Sequence, residues 1–124
     1  YLSFKNYLLP EAQKQGIAII GMKVTTRSRI LSSWTPPPLE DQTDARLRTS
    51  KPGTISIKEA LTYNMSLPVS TTIIGVDSVA QIEENIKIAS GFSPLSQSQM
   101  EEIEFKTLPI VRQGLYFRRW DLGA

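Results

Sequence analysis

Residues 70–85 read STTIIGVDSVAQIEEN: a β-branched run, a turn containing glycine, and a capped amphipathic segment. Residues 71–76 are β-branched at every position except Gly75, the composition of a strand covered on both faces. Ser78 stands where a helix N-cap belongs, and Gln81, three residues on, carries the side chain that completes a capping box. Val79, Ile82, Ile86 and Ala89 then recur at the spacing of one buried helix face. Strand, glycine and helix start together present backbone N–H groups and the positive end of a dipole, which suits a phosphate. Taken alone, these features are more simply an ordinary βα connection without a ligand.

Upstream, residues 17–24 (IAIIGMKV) form a second apolar run, too short for a helix and too apolar for a one-sided strand. They predict a central parallel strand. Before it, Leu2, Phe4, Tyr7, Leu8 and Ala12 make a helical stripe over residues 2–15, entered afresh at Pro10 and closed by Gly16 as the residue after the helix. Ser56-Ile57-Lys58-Glu59 is a second capping box, opening a helix with Ile57, Ala60, Leu61 and Met65 inward. Leu67-Pro68 ends it, because a residue before proline resists the α conformation. Gly91 closes the helix that Ser78 opens, and Ser96 or Ser98 caps another running to about Thr107.

Between the first strand and the second capping box lies a long irregular passage. Its core, residues 26–54, reads as a functional lid or a disordered insertion. Arg27 and Arg29 fall just past the strand, where anions bind in α/β folds, and two solvated loop arginines are an equally good description. In the tail, residues 108–124, Tyr116, Phe117 and Trp120 alternate with Arg112, Arg118 and Arg119. That composition is shared with nucleic-acid stacking surfaces, but a tail that packs against the body of the fold, or borders a substrate pocket, is the simpler expectation.

Composition closes off several chemistries. With no cysteine and no histidine, thiol nucleophiles, disulfides, imidazole metal sites and Ser-His-Asp triads are excluded. A net charge of +2, with both signs scattered along the chain, gives no reason to expect nucleic acid or a charged membrane as partner. No apolar run has the length of a membrane span, and a cytoplasmic setting is the default. Glu83-Glu84 and Glu101-Glu102 are adjacent on helices, point in different directions, and read as solvated surface, not as acid/base pairs.

Helices alternating with strands imply right-handed crossovers and a parallel sheet. Two strands are too few for such a sheet. The chain is therefore expected to be a piece of a larger protein, beginning inside an element at Tyr1, or to complete its sheet with another chain.

Residues 73–85 (IIGVDSVAQIEEN) resemble the last strand and following helix of aldo/keto reductases. Residues 16–23 (GIAIIGMK) are similar to the preceding strand, residues 59–70 (EALTYNMSLPVS) to the helix between, and residues 92–96 (FSPLS) to the phrase after the last barrel helix. The resemblance covers most of the chain in the family's order, leaving out residues 26–54 and the final dozen. It implies an α/β fold, the C-terminal part of a (β/α)8 TIM barrel, incomplete here because such barrels need about 250 residues. Residues 1–124 would then be a single partial domain.

By the same resemblance the complete protein transfers hydride between NADPH or NADH and a small carbonyl substrate. The family's tyrosine acid and its supporting aspartate, lysine and histidine come from earlier strands, so no catalytic residue is assigned in this chain, which alone is expected to be inactive. Lys23 receives a positioning role, not a catalytic one. Cofactor contacts carry over: Gly75, Val76, Asp77 and Ser78 at the adenosine-phosphate end, and Gln81, Glu84 and Asn85 facing adenine and ribose. Met22 stands where many members stack a tyrosine on nicotinamide, and Lys23, Val24 and Thr25 flank the pyrophosphate. Gln81 replaces a frequent arginine and Asp77 places an anion near a 2′-phosphate, which disfavours strong NADP preference unless Arg27 or Arg29 supplies the charge. The alternative is a non-enzymatic or degenerate half-barrel that self-associates and binds a nucleotide or nothing.

Overall fold

The computed structural model describes residues 4–43 and 48–114, so the expectations placed on Tyr116, Phe117, Arg118, Arg119 and Trp120 lie outside the described residues. A π-helical turn, Phe4–Leu8, runs into α1, Leu9–Lys14, with Pro10 in the first turn, where its missing N–H costs nothing. Gly16 then takes φ +67°, a left-handed conformation that glycine adopts without steric penalty. β1, Ile20–Met22, follows, and the long passage after it leads to α2, Ile57–Met65. β2 is Thr71–Ile73, followed by α3, Val79–Ser90, and α4, Gln97–Thr107. A 3-10 turn, Leu108–Ile110, joins α4 to α5, Val111–Gly114.

The two strands pair in parallel, with Ile20 opposite Thr71 and Met22 opposite Ile73. A mixed α/β fold with a parallel sheet is thus what the sequence predicts and what the chain forms. Both strands are shorter than the apolar runs that contain them. β1 ends where Lys23 turns to φ 55°, and β2 has no second neighbour among the described residues to extend its ladder.

Burial departs further from expectation. Ile20 (58% exposed), Met22 (64%) and Ile73 (56%) are open, although their sequences are those of strands covered on both faces. The face predicted to bury α3 is open as well: Val79 is 70% exposed, Ile86 58% and Ile82 43%. The reason is in the layering. α2 packs on β2 and α3 packs beside α2, while Lys5 of the Phe4–Leu8 turn reaches the Tyr63 ring of α2 and Glu104 of α4. Among the described residues β1 and β2 are the whole sheet, and α2 is the helix packed on it, so α3 rests on α2 with its apolar face uncovered.

The centre of packing lies away from the sheet. Ile55, Ala60 and Ile103 form the buried cluster, with Val24, Ile30, Leu31, Tyr63 and Leu95 packed against it. Leu31 bridges Ile55, and the N–H groups of Thr54 and Ile55 both donate to the Ile30 carbonyl. The Gln42 amide donates to the carbonyls of Pro37 and Thr49 and accepts the Thr49 N–H, while Gln113 makes a reciprocal pair of bonds with the Lys51 backbone. In its described parts the long passage is folded onto the core by backbone and amide hydrogen bonds. No helix of the described residues is long and apolar enough to cross a membrane.

Candidate functional site

Parallel pairing decides which segments meet. Because Met22 lies opposite Ile73, both chains leave the sheet at the same end: Lys23, Val24 and Thr25 from β1, and Gly75 to Ser78 from β2. In open α/β folds the carboxyl ends of the strands are where ligands bind.

The loop after β1 is unusual in its backbone. Lys23, Thr26, Arg27 and Ser28 all have φ between 52° and 66°, a region that costs a non-glycine residue roughly 1–2 kcal/mol each. The loop is closed by Thr26 N–H donating to the Lys23 carbonyl (2.7 Å) and Leu31 N–H to the Ser28 carbonyl (2.9 Å). Arg29 donates from Nε to the hydroxyl of Thr49 at 3.0 Å, so it helps fold the long passage over the core. Val24 turns inward, into a cleft of about 320 Å³ between the loop, α2 and α4.

The loop after β2 is a helix start. Ser78 caps α3, its hydroxyl accepting the Gln81 N–H at 3.3 Å. The expected return bond from Gln81 to Ser78 is not made. The Gln81 side-chain Oε1 accepts the Asp77 N–H instead, at 2.7 Å. At α2 and α4, Ser56–Glu59 and Ser96–Gln99 form full capping boxes, with Ser96 and not Ser98 as the cap. Ser78 is more extended than either of those caps, φ −150° against −79° and −68°. Asp77, Ser78, Gln81 and Glu84 are exposed, and a Cβ at Gly75 would meet nothing within 4 Å. The first-turn N–H groups of α3 beyond the one held by Ser78 have no partner within the helix.

The residues predicted as one site are therefore divided among four places. Met22, Lys23 and Thr25 lie at the end of β1, and Gly75, Asp77, Ser78, Gln81 and Glu84 surround the exposed start of α3. Val24 belongs to the inner cleft, whereas Val76 and Asn85 line a separate apolar groove of about 290 Å³ between α2, β2 and α3.

One polar cluster was not legible in the sequence. At the wall of the inner cleft, one carboxylate oxygen of Glu104 accepts from both Lys5 Nζ and the Tyr63 hydroxyl (2.6 Å), with the ammonium 5.9 Å from the centre of the Tyr63 ring. Burial raises the Glu104 carboxyl, but the bonds from Lys5 and Tyr63 outweigh it and hold the group below the usual carboxylate range. Burial first, then the bond to Glu104 and its charge, push the Tyr63 phenol well above its ordinary value. These residues come from elements 41 and 99 positions apart, and no local pattern joins them. Glu101 and Glu102 behave as surface groups, accepting from Gln97 and Lys106 on their own helix.

No family model matches the chain, and no curated protein matches it. Among solved structures, the aldo-keto reductase AKR11C1 from Bacillus halodurans in its holo form is similar, with a TM-score of 0.55 and 21% identity. The match covers 78% of this chain and 36% of that one, so the chain spans about a third of the reductase's length. The likeness is one of fold.

Proposed function

We propose that this chain is the cofactor-binding C-terminal portion of an NAD(P)-dependent oxidoreductase of the aldo/keto reductase type. The observation that carries the reading is the parallel register of β1 and β2, which sets Lys23 to Thr25 beside Gly75 to Ser78 at the carboxyl end of the sheet. The fold likeness supports the same reading.

The residues fit a dinucleotide's phosphates. Gly75 leaves open space at the strand end, and α3 directs first-turn N–H groups and the positive end of its dipole to the same side. Lys23 and Thr25 would flank the pyrophosphate, Met22 the nicotinamide, and Gln81, Glu84 and Asn85 the adenine and ribose. When bound, the nicotinamide supplies or accepts the hydride. This chain's own part is to bind and orient: the Gln81–Asp77 bond fixes the turn ahead of α3, and the Asp77 carboxylate disfavours a second phosphate nearby. The reaction's proton donor lies outside this chain, and the substrate is a small carbonyl compound handled by the complete barrel in the cytoplasm.

The test is titration of the 124-residue chain with NADH and NADPH, followed by nucleotide fluorescence. Saturable binding that Gly75→Asp abolishes is the expected result. Absence of binding by chain that circular dichroism shows to be folded overturns the proposal.

A further inference from the structure

The cofactor reading leaves the inner cleft without a role. Its lining is largely aliphatic: Ile55, Ala60, Ile103 and Ile110 are buried there, and Val24 and Val111 also line it. The loop after β1, α2, α4 and α5 supply these walls, so the cleft is a hollow between this chain's own elements and not an open edge of its sheet. Its volume, about 320 Å³, falls at the lower end of clefts that hold small molecules.

The polar side chains at the cleft are largely engaged with one another. The Tyr63 hydroxyl and the Lys5 ammonium both donate to Oε1 of Glu104, and the Thr107 hydroxyl donates to the Glu104 main-chain carbonyl. The Asn64 Oδ1 takes the Thr72 hydroxyl. One strong acceptor is left. Glu104 lines the cleft, and its Oε2 has no hydrogen-bond partner among the described residues. Burial disfavours its charge, but the bonds from Lys5 and Tyr63 keep the carboxyl ionised at neutral pH. An ionised carboxylate can only accept hydrogen bonds.

We propose that the cleft binds a small neutral molecule with an apolar ring or chain and one hydroxyl group, the hydroxyl donating to Glu104 Oε2. Charge selects the class. The Lys5 ammonium already neutralises Glu104, so a ligand cation would meet a positive charge beside the carboxylate it seeks. A ligand anion would face that carboxylate and lose its water against an aliphatic lining. A neutral hydroxyl carries neither cost, and its bond to a charged acceptor is stronger than one between neutral groups. The rest of the ligand displaces water from the aliphatic lining, the main source of affinity in clefts of this kind.

This inference does not rest on cofactor binding, and its test contains no nucleotide. The 124-residue chain, shown by circular dichroism to be folded, is titrated at neutral pH with naphthol, naphthalene, naphthoate and naphthylmethylamine, following the fluorescence of each probe. The expected result is saturable one-to-one binding of naphthol, with the other three at least about fivefold weaker. Val111→Trp, at an exposed position on the cleft, is expected to weaken naphthol at least about tenfold. Glu104→Gln keeps the side chain's size but leaves one acceptor oxygen, which Lys5 and Tyr63 engage, so the preference for naphthol over naphthalene falls away. Ile82→Lys, in the separate groove, leaves naphthol binding unchanged. Absence of naphthol binding, equal binding of naphthol and naphthalene, or tighter binding of either ion overturns the proposal. So does a preference that survives Glu104→Gln, or binding that Ile82→Lys abolishes and Val111→Trp does not.

Discussion

Asn64 of α2 rests against Gly21 of β1: a Cβ at residue 21 would stand 2.6 Å from the Asn64 Oδ1, the atom that accepts the Thr72 hydroxyl at 2.7 Å. One amide thus joins the helix to both strands, and it does so because β1 has no side chain at that point. Gly21→Ala forces Asn64 aside and breaks its bond to Thr72, at an expected cost of about 1–2 kcal/mol. In an Asn64→Ala background the same substitution is nearly neutral. Urea unfolding of the four chains of this double-mutant cycle reads the coupling.

Gly53 is the stricter case. A Cβ there would lie 2.0 Å from the Ile30 carbonyl carbon, and that backbone cannot retreat while its oxygen accepts from Thr54 and Ile55. Gly53→Ala is expected to destabilise by about 3 kcal/mol or more. Gly75→Ala, which meets nothing within 4 Å, stays within about 0.5 kcal/mol. Chemical denaturation of the two variants side by side checks the contrast.

The caps of α2 and α4 are complete boxes, whereas that of α3 has its return bond one residue further out. Ser56→Ala and Ser96→Ala each cost about 1 kcal/mol. Gln81→Ala leaves the Ser78 cap in place and loosens the Asp77 turn instead, so hydrogen exchange at Asp77 rises with little change in the unfolding midpoint.

The Lys5–Glu104–Tyr63 cluster gives stability a defined dependence on pH. Glu104 and Glu59 are both held below the usual carboxylate range, against the upward push of burial, by bonds from Lys5 and Tyr63 and from Lys106 and Ser56. Their contribution is present above the unfolded carboxylate value and is lost as pH falls through the lower folded value. Tyr63 is raised, so its contribution is present below the unfolded phenol value near about 10 and is lost as pH climbs beyond it. Thermal melts across pH should show a plateau at neutrality with an acid and an alkaline fall. Tyr63→Phe flattens the alkaline fall and costs about 1–2 kcal/mol at neutral pH.

If the nucleotide lies as proposed, Asp77 acts on cofactor choice through charge alone. Two unit charges a few ångströms apart in water repel by about 1 kcal/mol. Asp77→Asn is therefore expected to tighten NADPH about fivefold and leave NADH nearly unchanged, with fluorescence titration as the measurement. Equal tightening of both cofactors would show that Asp77 does not face the 2′ position.

By itself the sequence determined the elements and their order, because those depend on neighbours a few residues apart. Ser56, Ser78 and Ser96 set the helix starts through their own hydroxyls, Gly16 ends the first helix with a left-handed residue, and two β-branched runs separated by a helix dictate parallel pairing. What only tertiary structure decided depends on contacts between distant residues. The Tyr63–Glu104–Lys5 cluster, the Asn64–Gly21 clasp and the folding of the long passage by Gln42, Thr49 and Gln113 have no local signature. Burial was the same kind of question. Residues 71–76 and the α3 face read as core, since an apolar side chain records that it is to be covered but not by what, and among the described residues β2 has β1 as its one neighbour and the α3 face is exposed.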